Sequence, residues 1–195
     1  MHAATGYALD LRQWSQAERL GRRALAAFAP PHEDAARAER FITPLLARAL
    51  LQQQQWREAQ EVLEAALRRH PNEGSLHRLL ALALGGWLEL DGGGTVVRYT
   101  GLGQPAAAYA RYVDEYQPWA LDPQRAPRWS LPWYRFHFEA YWFATQAADG
   151  GDSTFRERAS TLWNIARSVD EFATLRALPG GADLAELFRL HPPRP

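Results

Sequence analysis

Apolar positions recur at intervals of three and four along three stretches of the chain. In the first, about Tyr7 to Phe28, Trp14, Ala17, Leu20, Ala24 and Leu25 share one helix face, and Ala29-Pro30-Pro31 stops the helix. The second runs from about Glu33 to Leu67, with a break near Gln53 to Gln55 and a proline at position 44 that starts or kinks a helix. The third begins after His70-Pro71-Asn72 and continues to about Trp87. Beyond Gly85 the period changes. Trp87 to Leu90 is expected to pair with Thr95 to Tyr99 across the Gly92 to Gly94 turn; the alternative is a helix to Leu90 followed by a loop. A helix resumes at Pro105, a favourable first helical residue, and passes through Tyr109, Tyr112, Val113 and Tyr116. Pro118, Pro123, Pro127 and Pro132 then mark a loop. The last third reads as a helical hairpin, Pro132 to Ala148 and Ser153 to Arg167 around an Asp149 to Asp152 turn, with Ser130 or Ser153 as caps. Two short helices around Leu175 and Leu184 to Leu187, separated by Pro179-Gly180-Gly181, and a loose tail from His191 complete the pattern.

The segment from Phe41 to Leu84 carries a more specific signal. Leu46 and Ala47 form a large-small pair, followed by Leu50; Trp56 opens the next helix, with Ala59, Leu63 and Ala66 behind it and Pro71 ending the unit. Leu80, Ala81 and Leu84 then repeat the opening triplet 34 positions on. The small residues let two antiparallel helices approach, the large ones fill the gaps, and the proline forbids continuation. This arrangement resembles a tetratricopeptide repeat followed by the first helix of another. Trp14 and Ala17 with Ala24 and Leu25 echo Trp56 and Ala59 with Ala66 and Leu67, 42 positions apart, with Gly21 in the slot of Leu63. The expected fold is therefore all-α: antiparallel tetratricopeptide-like hairpins in a right-handed superhelix, with a small β-hairpin insertion near 87–99. One domain over 1–195 is expected, with the best repeat at 40–84, an irregular insertion at 85–104 and a C-terminal hairpin at 131–170.

The resemblance implies a non-catalytic scaffold, adaptor or assembly chaperone, with no cofactor, that holds a protein segment on the inner face of the stack. The residues falling on that face are Phe41, Arg48, Gln52, Ser75, Arg78 and Leu82. The two arginines favour an acidic, carboxylate-bearing partner.

Composition narrows the alternatives. Basic and acidic residues balance at 22 each, so no net field recruits nucleic acid or an anionic membrane. Every basic residue is arginine. With no Cys, disulfides and thiolate chemistry are excluded. The opening MHAATGYALDLRQW lacks a basic stretch followed by an apolar one, and Leu79 to Leu88 is too short to span a bilayer, so a cytoplasmic location is expected.

Other chemistry is less well supported by spacing. Gly101-x-Gly103-x-x-Ala106 after a strand has the outline of a nucleotide-binding turn, but the proline-rich stretch after Tyr116 lacks the second buried strand that this reading needs. Its alternative, a nucleotide-dependent enzyme, stands behind the interaction module. The histidines at 2, 32, 70, 77, 137 and 191 do not fall at metal-ligand spacing. From Trp129 to Phe143 the aromatic rings are too many for one neighbour, so this helix is expected to be buried on most sides; the other reading has one face lining a groove. A self-associating structural subunit, and hence a homo-oligomer, is the remaining alternative.

Overall fold

The apolar spacing before Pro30 resolves into two helices rather than one. In the computed structural model, which describes residues 2–91, 93–167 and 172–193, α1 (His2–Asp10) and α2 (Trp14–Ala27) form a hairpin. Arg12 breaks the helix at φ 55°, and the Gln13 N–H returns to the Ala8 carbonyl at 2.8 Å. The same turn recurs between α3 (Ala35–Gln52) and α4 (Trp56–Arg69): Gln54 has φ 61° and the Gln55 N–H bonds the Leu50 carbonyl at 2.9 Å. Neither turn uses glycine, the usual residue for left-handed backbone, which is why the first break is invisible in the sequence.

The chain gathers into two compact units, Met1–Leu84 and Gly85–Pro195. In the first, Thr5, Ala8, Ala17, Gly21 and Ala24 are buried, and so are Ala47, Leu50, Ala59, Leu63 and Ala66, each 42 positions later. The 42-residue echo is thus a repeat of structure. At Gly21 α2 lies close on α3: a Cβ there would lie 3.2 Å from the Leu46 Cβ, tighter than an ordinary contact. Leu46, Leu50 and Leu63 are fully buried, each contributing about 2 kcal/mol. The ion pairs on the outside, with Arg22 bridging Glu18 and Glu58, are exposed and contribute less than about 1 kcal/mol apiece. Pro44 lies inside α3, which begins nine positions earlier, and removes one interior backbone bond. α5 (Gly74–Gly85) ends at Gly85, short of the expected Trp87.

The second unit opens with the expected hairpin. β1 (Trp87–Leu90) and β2 (Val96–Tyr99) pair antiparallel, Trp87 opposite Tyr99 and Leu90 opposite Val96. The Trp87 and Tyr99 rings stack at 4.1 Å, and the Asp91 carboxylate accepts the N–H groups of Gly93 and Thr95, shaping the turn. α6 (Pro105–Ala110) passes through a π-helical segment, Arg111–Tyr116, into α7 (Gln117–Ala120). Pro118 therefore lies in a helix rather than in the loop expected there.

α8 (Leu131–Asp149) is capped by Ser130, whose hydroxyl accepts the Trp133 N–H. For α9 (Thr154–Arg167) the Asp152 carboxylate, not Ser153, receives the Thr154 N–H at 3.1 Å. α10 (Ala173–Ala177) and α11 (Gly181–Leu190) follow; the hairpin's expected last residues, 168–170, lie outside the described residues. Trp133, Tyr134, Phe136, Phe138, Tyr141, Trp142 and Phe143 of α8 are all buried, as a central helix requires. Their neighbours come from different sides: Tyr112 at 5.1 Å from Phe136, Trp163 of α9 at 5.3 Å from Tyr141, and Phe188 of α11 at 4.8 Å from Phe138. Glu139, buried on the same helix, accepts the Tyr112 hydroxyl at 2.5 Å. The tail is held at its start, where the Tyr141 hydroxyl donates to the His191 carbonyl at 2.6 Å.

Candidate functional site

Helical geometry fixes where the six predicted contact residues go. Phe41, Arg48 and Gln52 recur at seven and four along α3 and so share one of its faces; Ser75, Arg78 and Leu82 do the same on α5 at three and four. Phe41 is 57% exposed, a large apolar ring presented to solvent, and Arg48 is exposed beside it. Gln52, Ser75 and Arg78 are half-buried. Leu82 is only 6% exposed, so it supports the face from within. Arg48 and Arg78 are both engaged within the folded chain.

The start of α5 is fastened to α3 by polar contacts. Arg40 reaches the Glu73 carboxylate at 3.2 Å, and the Ser75 hydroxyl donates to the same group at 3.1 Å. At the end of α4, Glu39 accepts from Arg69 at 2.8 Å and meets the His70 ring at 3.0 Å. Hydrogen bonds from Arg69 hold the Glu39 carboxyl below its ordinary range against the opposing effect of burial. These groups brace the hairpin.

The nucleotide-type turn does not acquire its context. Gly101 and Gly103 do adopt left-handed backbone, at φ 60° and 67°, and α6 does follow. Among the described residues, however, the preceding strand pairs only in a two-stranded antiparallel sheet, whereas a dinucleotide fold needs parallel strands. Two of the histidines are occupied in structural roles: His77 meets the Pro71 carbonyl at 2.6 Å and His137 the Trp133 carbonyl at 2.8 Å. Burial pushes the His137 pKa down, although the bond to Trp133 opposes it. Among the described residues no group of three metal-capable side chains converges. A cavity of about 230 Å³ between α8 and α9, walled by Thr145, Asp149, Arg156 and Ser160, is smaller than most ligand pockets. Among the described residues no helix is long and apolar enough to cross a membrane.

Two hairpins with the same turn and the same buried positions define a helical-repeat protein. Residues 42–83 match the tetratricopeptide repeat model, which covers α3 from Ile42 through most of α5. The chain carries a tetratricopeptide-like repeat, and repeats of this class mark protein–protein interaction modules. No curated protein and no solved structure is significantly similar to the chain.

Proposed function

We propose that the chain is a non-catalytic, cytoplasmic adaptor or assembly factor. It binds an acidic protein segment on a surface that α3 and α5 contribute to the inner side of a right-handed tetratricopeptide-like superhelix. The observation that supports this reading is the repeated hairpin turn at Arg12-Gln13-Trp14 and Gln54-Gln55-Trp56, with α1 packed against α3. Phe41 supplies apolar contact; Arg48 and Arg78 supply planar forks for carboxylates, exchanging their present interactions for those of the partner.

The test compares wild type with the Arg48→Glu, Arg78→Glu double variant as immobilised bait in lysate of the native host, with melting temperature as the check on folding. Retention of one specific protein by wild type and its loss from a variant that melts normally supports the inner-face reading. Capture of the same protein by the folded variant, or of nothing by wild type, refutes it.

A second reading, a self-associating subunit, is favoured by the outer side of α1. Tyr7 is 67% exposed there, Ala3 and Ala4 are exposed too, and Leu11, just past the helix end, is 49% exposed. Sedimentation at rising concentration separates the two: a monomer throughout leaves the adaptor, and a mass that grows with concentration favours the subunit.

A further inference from the structure

The loop between α7 and α8 places two arginine guanidiniums over tryptophan rings. The Arg125 guanidinium carbon is 4.6 Å from the centre of the Trp119 ring, and that of Arg128 is 4.6 Å from Trp129. Both arginines are exposed, while both tryptophans are half-buried and continue inward. Trp119 stacks on Tyr116 at 5.6 Å, and Trp129 lies 4.7 Å from the buried Trp133. The loop is bonded into shape. The N–H groups of Arg125 and Ala126 meet the Asp122 carbonyl at 2.9 and 2.8 Å, and Ala126 is buried. The Ser130 N–H closes on the Pro127 carbonyl at 3.0 Å, in a turn that places Trp129 at φ 69°. Left-handed backbone is strained for so bulky a residue, and strain of this kind persists where the surroundings enforce it, often at binding sites.

We propose that this loop is a second docking surface, and that its occupant is an acidic peptide segment of another protein whose carboxylates are gripped by Arg125 and Arg128. A guanidinium stacked on a ring keeps its face against the ring and turns its N–H edge outward, a fork that matches the two oxygens of a carboxylate. The ring also limits the rotamer freedom that binding must remove. Charge complementarity sets the sign of the partner: from Gln117 to Arg135 the charged residues are Asp122 against Arg125, Arg128 and Arg135. Arg125 reaches Asp122 only at 3.7 Å, and Arg128 has no carboxylate in ion-pair reach among the described residues. A single-stranded nucleic acid fits less well. The ring faces on which its bases would stack are already covered, and equal numbers of acidic and basic residues give no field to draw a polyanion. The surface shares no residue with α3 or α5, so it stands independently of the inner-face reading.

The experiment pans the full chain against a displayed library of random short peptides and measures the selected peptides by fluorescence anisotropy. Sequences rich in neighbouring Asp and Glu are expected. The Arg125→Gln, Arg128→Gln variant, melting as wild type, should bind them at least about tenfold more weakly, since each lost bond is charge-assisted. Arg125→Lys, Arg128→Lys should lose most of the affinity too, because an ammonium cannot stack and fork at once. Arg57→Gln, Arg68→Gln, at exposed positions of α4, should bind unchanged. The proposal is overturned if acidic residues are not enriched, or if either loop variant binds as tightly as wild type. Displacement of the peptides by oligothymidylate at lower concentration also overturns it, in favour of a nucleic-acid surface.

Discussion

Replacing Gly85 by alanine tests how closely the elements of the second unit are packed. Gly85 ends α5, and a Cβ added there would lie 2.7 Å from the Ala108 Cβ and 2.7 and 2.9 Å from two carbons of the Phe143 ring. Ordinary carbon contacts are about 3.5–4.0 Å, so the overlap approaches an ångström on two sides. Neither neighbour can give way easily: both are fully buried, and Phe143 is itself set edge-on to Tyr112 at 5.4 Å. Overpacking of this kind costs about 1–3 kcal/mol, while the helix-propensity gain at a terminal position is below about 1 kcal/mol. The expected net loss is about 1–2 kcal/mol, a fall in melting temperature of about 2–8 °C. Gly6 provides the internal control. It lies in α1 with nothing within 4 Å of an added Cβ, so Gly6→Ala should stabilise by up to about 1 kcal/mol. Thermal melts by circular dichroism and urea midpoints read both variants. Adding Ala108→Gly to Gly85→Ala should restore part of the loss by removing one of the two overlaps. A Gly85→Ala protein that melts at or above wild type would refute the close approach.

Two further outcomes follow from the first unit. Gly21→Leu, which copies the residue found at the equivalent Leu63 slot, should destabilise by about 1–3 kcal/mol, because even a Cβ meets Leu46 at 3.2 Å; a urea midpoint equal to wild type would show that α2 and α3 are not so close. Glu39 is held below its ordinary value of 4.5 chiefly by Arg69, so its stabilising effect is complete above that pH and is lost as pH falls through the lowered value. Glu39→Gln should therefore flatten the acid limb of stability against pH below about 4.5, and an unchanged limb would place the acid sensitivity elsewhere.

Local chemistry alone marked much of the fold. The large-small alternation of Leu46, Ala47, Leu50, Ala59, Leu63 and Ala66, with Pro71 behind it, predicts the α3–α4 hairpin because close helix pairing tolerates few other residue orders. The β-hairpin was legible for a similar reason, since Thr95-Val96-Val97 and a glycine run favour strand and turn. The break at Arg12 was not legible. A charged residue in left-handed backbone has no composition signal, and it becomes apparent only when Gln13 is seen bonded to Ala8. The proposed contact residues were legible as helical positions, yet burial of Leu82 is a tertiary outcome that spacing cannot give.

The sequence by itself determined the helical class, the repeat and the absence of thiol chemistry, since these rest on residue type and short-range spacing. Only the tertiary structure decided which aromatics are core. The rings of α8 are buried because α6, α7, α9 and α11 pack around it, leaving Trp119 and Trp129 at the surface beneath two arginines. Burial depends on neighbours distant in sequence, and a hydrophobic pattern records only that a ring wants to be covered, not what will cover it.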